Sequence, residues 1–107
     1  MRIEKDSLGE REIPDDALYG IHSLRASENF ALGCGGTRPV LLRAMILVKK
    51  AAALTWEKLA HKPPVYRAIV EACDRLLSGE GTENFIVDAL QGGAGTSLNM
   101  NVNEVIA

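Results

Sequence analysis

Cysteine is scarce, aromatic residues are few, and neither sign of charge predominates in this chain of 107 residues. Each shortage excludes something. Two cysteines, Cys34 and Cys73, cannot build the disulfide framework that small secreted domains use. A formal net charge of -2 leaves no electrostatic footprint for nucleic acid or an anionic membrane. The most apolar region, Val40 to Leu54, is interrupted by Arg43, Lys49 and Lys50 and cannot span a bilayer. Met1 to Asp6 has no apolar stretch of the kind a secretory signal needs, so a soluble, reduced, cytoplasmic setting is expected. His22, His61, Cys34 and Cys73 show no metal-ligand spacing, and no metal is expected.

What is present is ordinary globular material, 47% hydrophobic and 24% charged, enough for a core in one domain or part of one. Residues 1–14 read as a short extended pair, with Ile3 and Ile13 flanking a turn at Ser7-Leu8-Gly9. Pro14 ends the pair, and Asp15 or Asp16 is placed to cap the next element. Ser23 to Phe30 reads as a short helix, and Gly33-Cys34-Gly35-Gly36 as a loop. The strongest helical pattern covers 39 to about 61, with Pro39 at the first position and Thr37 as a nearby cap. Leu41, Met45, Val48, Ala52 and Thr55 follow helical spacing, while Leu42, Ile46, Leu47, Ala53 and Leu54 widen the apolar face. A face that wide calls for cover on more than one side, and so short a chain has little to supply it. Lys62-Pro63-Pro64 breaks the helix, and a second runs from about Pro64 to Leu77, where Cys73 on the apolar stripe reads as a buried structural thiol. Phe85 to Leu90 reads as a strand or a buried turn. A last helix starts at Thr96 or Ser97 with Leu98, Val102, Val105 and Ile106 as its apolar stripe. No stop signal comes after Ile106, so the chain is expected to be an N-terminal piece of something longer.

The stretch with chemical potential is Gln91 to Asn103, a glycine-rich loop that leads into this last helix. Gly92, Gly93 and Gly95 allow close approach, while Thr96 and Ser97 bring hydroxyls to a helix N-terminus that favours an anion. Neither G-x-x-x-x-G-K-S/T nor G-x-G-x-x-G is present, which favours a carboxylate over a phosphate. The alternative is that Thr96 or Ser97 is simply an N-cap after a tight turn. Asn99 and Asn103 share one face of the helix and Asn101 points elsewhere. A ligand face, a buried polar contact and a solvated face each account for three asparagines so close together.

The run from Phe85 to Ala107, with Gln91-Gly92-Gly93-Ala94-Gly95-Thr96-Ser97 at its centre, closely resembles the first signature region of the aspartate ammonia-lyases in the aspartase/fumarase superfamily. The segments Arg2 to Glu10, Asp16 to Ile21, Leu24 to Ala26, Glu28 to Phe30 and Val48 to Ala53 resemble that family too. Class II fumarases tend to carry Thr-Gly-Ser-Gly-Thr-Gln in place of Gly92 to Ser97, so this chain resembles the aspartases more. Two departures stand beside the match: Ser23 where threonine is common, and an unfamiliar loop at Cys34 to Thr37.

The resemblance implies a mainly α fold. A small N-terminal helical domain with a short β-hairpin-like N-terminus would occupy residues 1–95, and residues 96–107 would be the first turns of a central-bundle helix. It implies a homotetramer, each active site drawing on three subunits, and reversible elimination of ammonia from L-aspartate to give fumarate without metal or organic cofactor. It places Thr96 in substrate binding, with Ser97 and Asn99 beside it as further candidates for holding the dicarboxylate. The serine base and the rest of the site would lie beyond Ala107. No catalytic base is therefore assigned, neither His22 nor His61 is promoted to that role, and the chain by itself is expected to be inactive. A class II fumarase piece and a non-catalytic helical interaction module are the alternatives.

Overall fold

A computed structural model describes residues 1–59 and 63–107. The end of the long helix expected to reach residue 61, His61 itself and Lys62 of the break all lie wholly or partly outside the described residues. Within them the chain forms a two-stranded antiparallel hairpin and four α-helices: β1 (Arg2–Asp6), β2 (Gly9–Ile13), α1 (Ile21–Asn29), α2 (Pro39–Leu59), α3 (Pro63–Leu77) and α4 (Thr96–Ile106). The mainly α expectation with an N-terminal hairpin holds.

The hairpin pairs Arg2 with Ile13 and Asp6 with Gly9. Asp6 closes the turn by accepting the Leu8 amide at 2.9 Å, and Gly9 takes a φ of 121°, a conformation that side chains resist. Ile13 is completely buried, whereas Ile3 stays exposed. Asp6 also anchors the hairpin to α1, because Arg25 grips its two oxygens at 2.6 and 2.8 Å. That bidentate contact holds Asp6 below its ordinary carboxyl pKa despite opposing desolvation. Burial would raise Glu4, but the Arg2 side chain and the Ile21 amide outweigh it and hold Glu4 low as well. Both groups therefore stabilise the fold fully above the ordinary carboxylate range and lose that contribution as pH falls through their lowered values. Amide protection in the hairpin and in the first turn of α1 is expected to drop below about pH 4. Asp6→Asn should flatten that acid limb, and an unchanged limb would exclude Asp6 as its cause.

Helices α2 and α3 form an antiparallel pair. Glu57 accepts two bonds from Arg67, Lys50 pairs with Asp74, and Arg43 donates to the Leu77 carbonyl, a register that runs oppositely along the two helices. Helix α4 lies across this pair. Ile46, Cys73, Leu76, Leu98, Val102 and Val105 make the shared core, in line with the stripes expected for α3 and α4. Cys73 is fully buried, and burial pushes its thiol pKa up, with Asp74 adding to the shift, so it stays protonated as expected of a structural thiol. Only Ile46 and Ala53 of α2 are buried. Val40, Leu41, Leu47, Val48 and Trp56 remain largely exposed, so the over-wide apolar face of α2 is left uncovered by this segment. Among the described residues no helix is long and apolar enough to cross a membrane.

Two expectations about helix starts change. Helix α1 begins at Ile21, not Ser23, and neither Asp15 nor Asp16 caps it. Its first turn is instead held by carboxylates distant in sequence: Glu4 accepts the Ile21 amide, and Glu104 accepts those of Gly20, His22 and Ser23. Helix α4 begins at Thr96, but its N-cap is Gly95 in the left-handed region and no side chain at that position caps it. Gln91 reaches forward to accept the Leu98 amide at 2.6 Å.

Candidate functional site

The loop before α4 is shaped by backbone that few residues tolerate. Gly93, Ala94 and Gly95 have φ of 70°, 52° and 88°, three left-handed residues in succession. For Ala94 that conformation costs about 1–2 kcal/mol, and the surrounding structure must hold it. Gly92 lies against Phe30, whose ring would sit 3.0 Å from a Cβ at this position. A side chain at this position would push the Phe30 ring back, so glycine lets the loop rest closely on the end of α1.

The loop is braced from behind. Gln91 donates to the Asp88 carbonyl at 3.1 Å while its oxygen holds Leu98. Asp88 accepts the amides of Leu90 and Cys34 and forms a bridge with Gly36, tying the two glycine-rich loops together. The segment Phe85 to Leu90 is thus an irregular stretch with one bridge rather than a strand, buried at Val87 and exposed at Ala89 and Leu90. Its amides at Ile86 and Val87 donate to the side-chain oxygen of Asn101, whose Nδ2 donates to the Asn84 carbonyl. Asn101 is fully buried and bonds through both ends of its amide to backbone in that stretch.

The three candidate binding residues occupy the start of α4. Thr96 is exposed, and its hydroxyl donates to the Gly93 carbonyl at 2.5 Å. Ser97 is half-buried, and among the described residues its hydroxyl has no hydrogen-bond partner. Asn99 is half-buried and accepts from the ammonium of Lys49 on α2 at 2.6 Å. Thr96 and Asn99 stand three residues apart and therefore share a side of the helix. His22 is exposed on α1, where its backbone amide, not its ring, bonds Glu104. Among the described residues no group of three or more His, Cys, Asp and Glu is placed to hold a metal ion.

Sequence reasoning gave no role to Lys49 or Glu104, and it named Gln91 and Asn101 without fixing what each bonds. The excess of asparagine on α4 was the one available signal, and it splits: Asn101 is a core polar contact, whereas Asn99 faces a lysine. Nothing in the local pattern marked Glu104 as a partner for residues more than eighty positions earlier.

The Ser97 hydroxyl and the Asn99 amide, tied to a cation, can offer hydrogen-bond donors to an acid group at this helix start, and the exposed Thr96 hydroxyl can join them only by leaving the Gly93 carbonyl.

Residues 9–107 match a family model described as Lyase. The whole chain is 50% identical to an aspartate ammonia-lyase of Bacillus sp and 50% identical to that of Escherichia coli K12, covering 23% of each. Identity to the aspartate ammonia-lyase of Pseudomonas aeruginosa is 53% over 99% of this chain and 23% of that protein. The chain spans about a quarter of the length of the curated relatives it matches. Among solved structures, a fumarate lyase:delta crystallin from Brucella melitensis superposes with a TM-score of 0.94 at 55% identity, over 100% of this chain and 25% of that one. A class II fumarase from Schistosoma mansoni superposes with a TM-score of 0.86 at 34% identity, over 98% of this chain and 22% of that one. The matches extend over nearly the whole chain, and the chain belongs to the lyase family, within the aspartase/fumarase superfamily.

Proposed function

We propose that this chain is the N-terminal part of an aspartate ammonia-lyase, which reversibly eliminates ammonia from L-aspartate to give fumarate. The higher identity to aspartate ammonia-lyases than to the class II fumarase, about 50% against 34%, supports aspartate over malate as substrate. In this reading Thr96, Ser97 and Asn99 hold part of the dicarboxylate. Residues 1–95 form the N-terminal domain, and α4 leads from it into a central helical domain. The uncovered face of α2 is consistent with further protein packing there in a cytoplasmic homotetramer.

The reaction begins with removal of a proton from the carbon beside the amine-bearing one. The electron pair moves toward the adjacent carboxylate, which becomes an enediolate, and ammonia departs from the neighbouring carbon. Charge on that acid group rises along the way, so donors fixed before the reaction stabilise the transition state more than the ground state. The start of α4 suits this task. Its loop is braced through Gln91, Asp88 and Asn101, Ser97 and Asn99 keep donor hydrogens there, and the Thr96 hydroxyl donates to the acid once it turns from the Gly93 carbonyl.

The observation that carries the proposal is the exposed Thr96 hydroxyl at the start of α4, on a loop with left-handed backbone at three consecutive residues. In the full-length enzyme Thr96→Ala is expected to lower kcat/KM for aspartate about 10-fold or more. Steady-state fumarate production measures it, and an unchanged value would remove Thr96 from the site.

A further inference from the structure

We infer that Lys49 is a positioning residue for the site proposed above, fixing the Asn99 amide so that its NH2 group is the one presented to a substrate carboxylate. The inference rests on that reading of the site. Lys49 lies on α2 and its Nζ is 2.6 Å from Asn99 Oδ1. An ammonium carries three donors and no acceptor, so only the carbonyl oxygen of Asn99 can face it. The planar amide then turns Nδ2 away from the lysine. Among the described residues no acceptor takes the Nδ2 hydrogens, so both remain available.

Three further observations converge on the same point. The Thr96 hydroxyl hydrogen is directed to the Gly93 carbonyl, so the Asn99 amide supplies donor hydrogens that the fold has not used. Asn99 stands one helical turn from Thr96, within reach of the same small acid. The two adjacent lysines of α2 are treated differently: Lys50 is paired with Asp74, whereas among the described residues no carboxylate pairs with Lys49. A half-buried cation left without an anion polarises the amide it touches and makes Nδ2 a stronger donor.

The test is made in the full-length lyase, with kcat and KM for aspartate measured separately. Asn99→Asp keeps an oxygen for Lys49, now in an ion pair, and replaces the presented NH2 with a second carboxylate oxygen. We expect a folded, assembled enzyme whose KM rises about 10-fold or more, from loss of a bond to a charged group and added like-charge repulsion. A role for Asn99 confined to holding α2 against α4 predicts an unchanged KM, and that result overturns the inference. Lys49→Met is expected to raise KM several-fold and Lys49→Arg to recover most of it. In an Asn99→Ala background Lys49→Met should add little. An equal rise in both backgrounds would mean that Lys49 acts without Asn99 and would also overturn the inference. Thr96→Ala separates the two levels: if it impairs the enzyme while Asn99→Asp leaves KM unchanged, only the inference about Lys49 fails. If Thr96→Ala is harmless, the reading of the site fails first.

Discussion

Glu104→Ala is expected to destabilise the protein by about 3 kcal/mol or more, the larger share of it from donors left without an acceptor. One oxygen of Glu104 accepts the Gly20 amide at 2.8 Å, the Ser23 amide at 3.1 Å and the Ser23 hydroxyl at 2.5 Å. The other accepts the His22 amide at 3.0 Å. These are the first N–H groups of α1, which have no partner inside the helix and sit at its positive end. Water can replace the carboxylate at exposed His22 but not easily at Gly20 and Ser23, which are buried. Gly20 has a second role here, because a Cβ would come within 3.0 Å of both the Glu104 carboxyl carbon and a Glu4 oxygen. The two acids can share the site because Arg2 neutralises Glu4 and also spans the Pro14, Ala17 and Tyr19 carbonyls. Thermal melting gives the overall loss, and hydrogen exchange at Gly20, His22 and Ser23 locates it. Glu104→Gln, which keeps one accepting oxygen, should fall between alanine and the native protein. Native-like protection in the alanine variant would show that α1 does not depend on this carboxylate.

The same contact explains why the start of α1 was misplaced from sequence while the other helices were not. Helix α2 announces itself through Pro39 and sustained apolar spacing, and α3 and α4 through stripes that the core then buries. Those signals are local and periodic. The start of α1 has no capping side chain of its own, because Glu4 and Glu104 cap it from opposite ends of the chain. Asp15 and Asp16 have the right chemistry for a cap and stand nearer in sequence, but Asp15 takes the N-terminal ammonium instead. Thr96 was likewise a good N-cap by residue type, yet Gly95 occupies that position and Gln91 serves the helix from five residues before its start. In both cases the helix was legible and its cap was not, because a side chain that reaches across a loop leaves no periodic trace.

The two helix starts differ in a way that bears on the proposed chemistry. At α1 an internal carboxylate already takes the amides left free at the helix start, so this N-terminus is closed to a ligand. At α4 the brace is the neutral amide of Gln91, which takes one amide and brings no negative charge. Among the described residues no carboxylate accepts the first amides of α4 and Lys49 bonds Asn99, so in the proposed reading this helix start stays open to an arriving acid. The glycine pattern pointed to this place from sequence. The cation and the brace emerged only when α2 and the segment 84–91 were folded against it.

Asn101→Ala is expected to cost about 3 kcal/mol or more and to impair substrate binding through the loop. Asn101 is completely buried, and its oxygen takes the Ile86 and Val87 amides at 3.0 and 3.4 Å while its nitrogen donates to the Asn84 carbonyl at 3.0 Å. Truncation leaves these three backbone groups unpaired beside the buried Val87 side chain and opens a cavity in α4's packing. Asn101→Leu separates the two causes, since it fills most of the volume but restores no bond. Leucine should therefore remain nearly as destabilising as alanine, and recovery to native stability would assign the effect to packing alone. Asn101→Asp keeps the acceptors yet sets an oxygen against the Asn84 carbonyl and buries a charge, so it should not rescue either. The functional effect is transmitted along the chain. Ile86 and Val87 lead directly to Asp88 and Gln91, whose bonds to Leu90, Cys34 and Leu98 hold the loop in its left-handed path. In full-length enzyme kept below its melting temperature, the alanine variant should raise KM for aspartate although Asn101 faces away from the site. A destabilised variant with unchanged KM would show that the loop keeps its shape without this support.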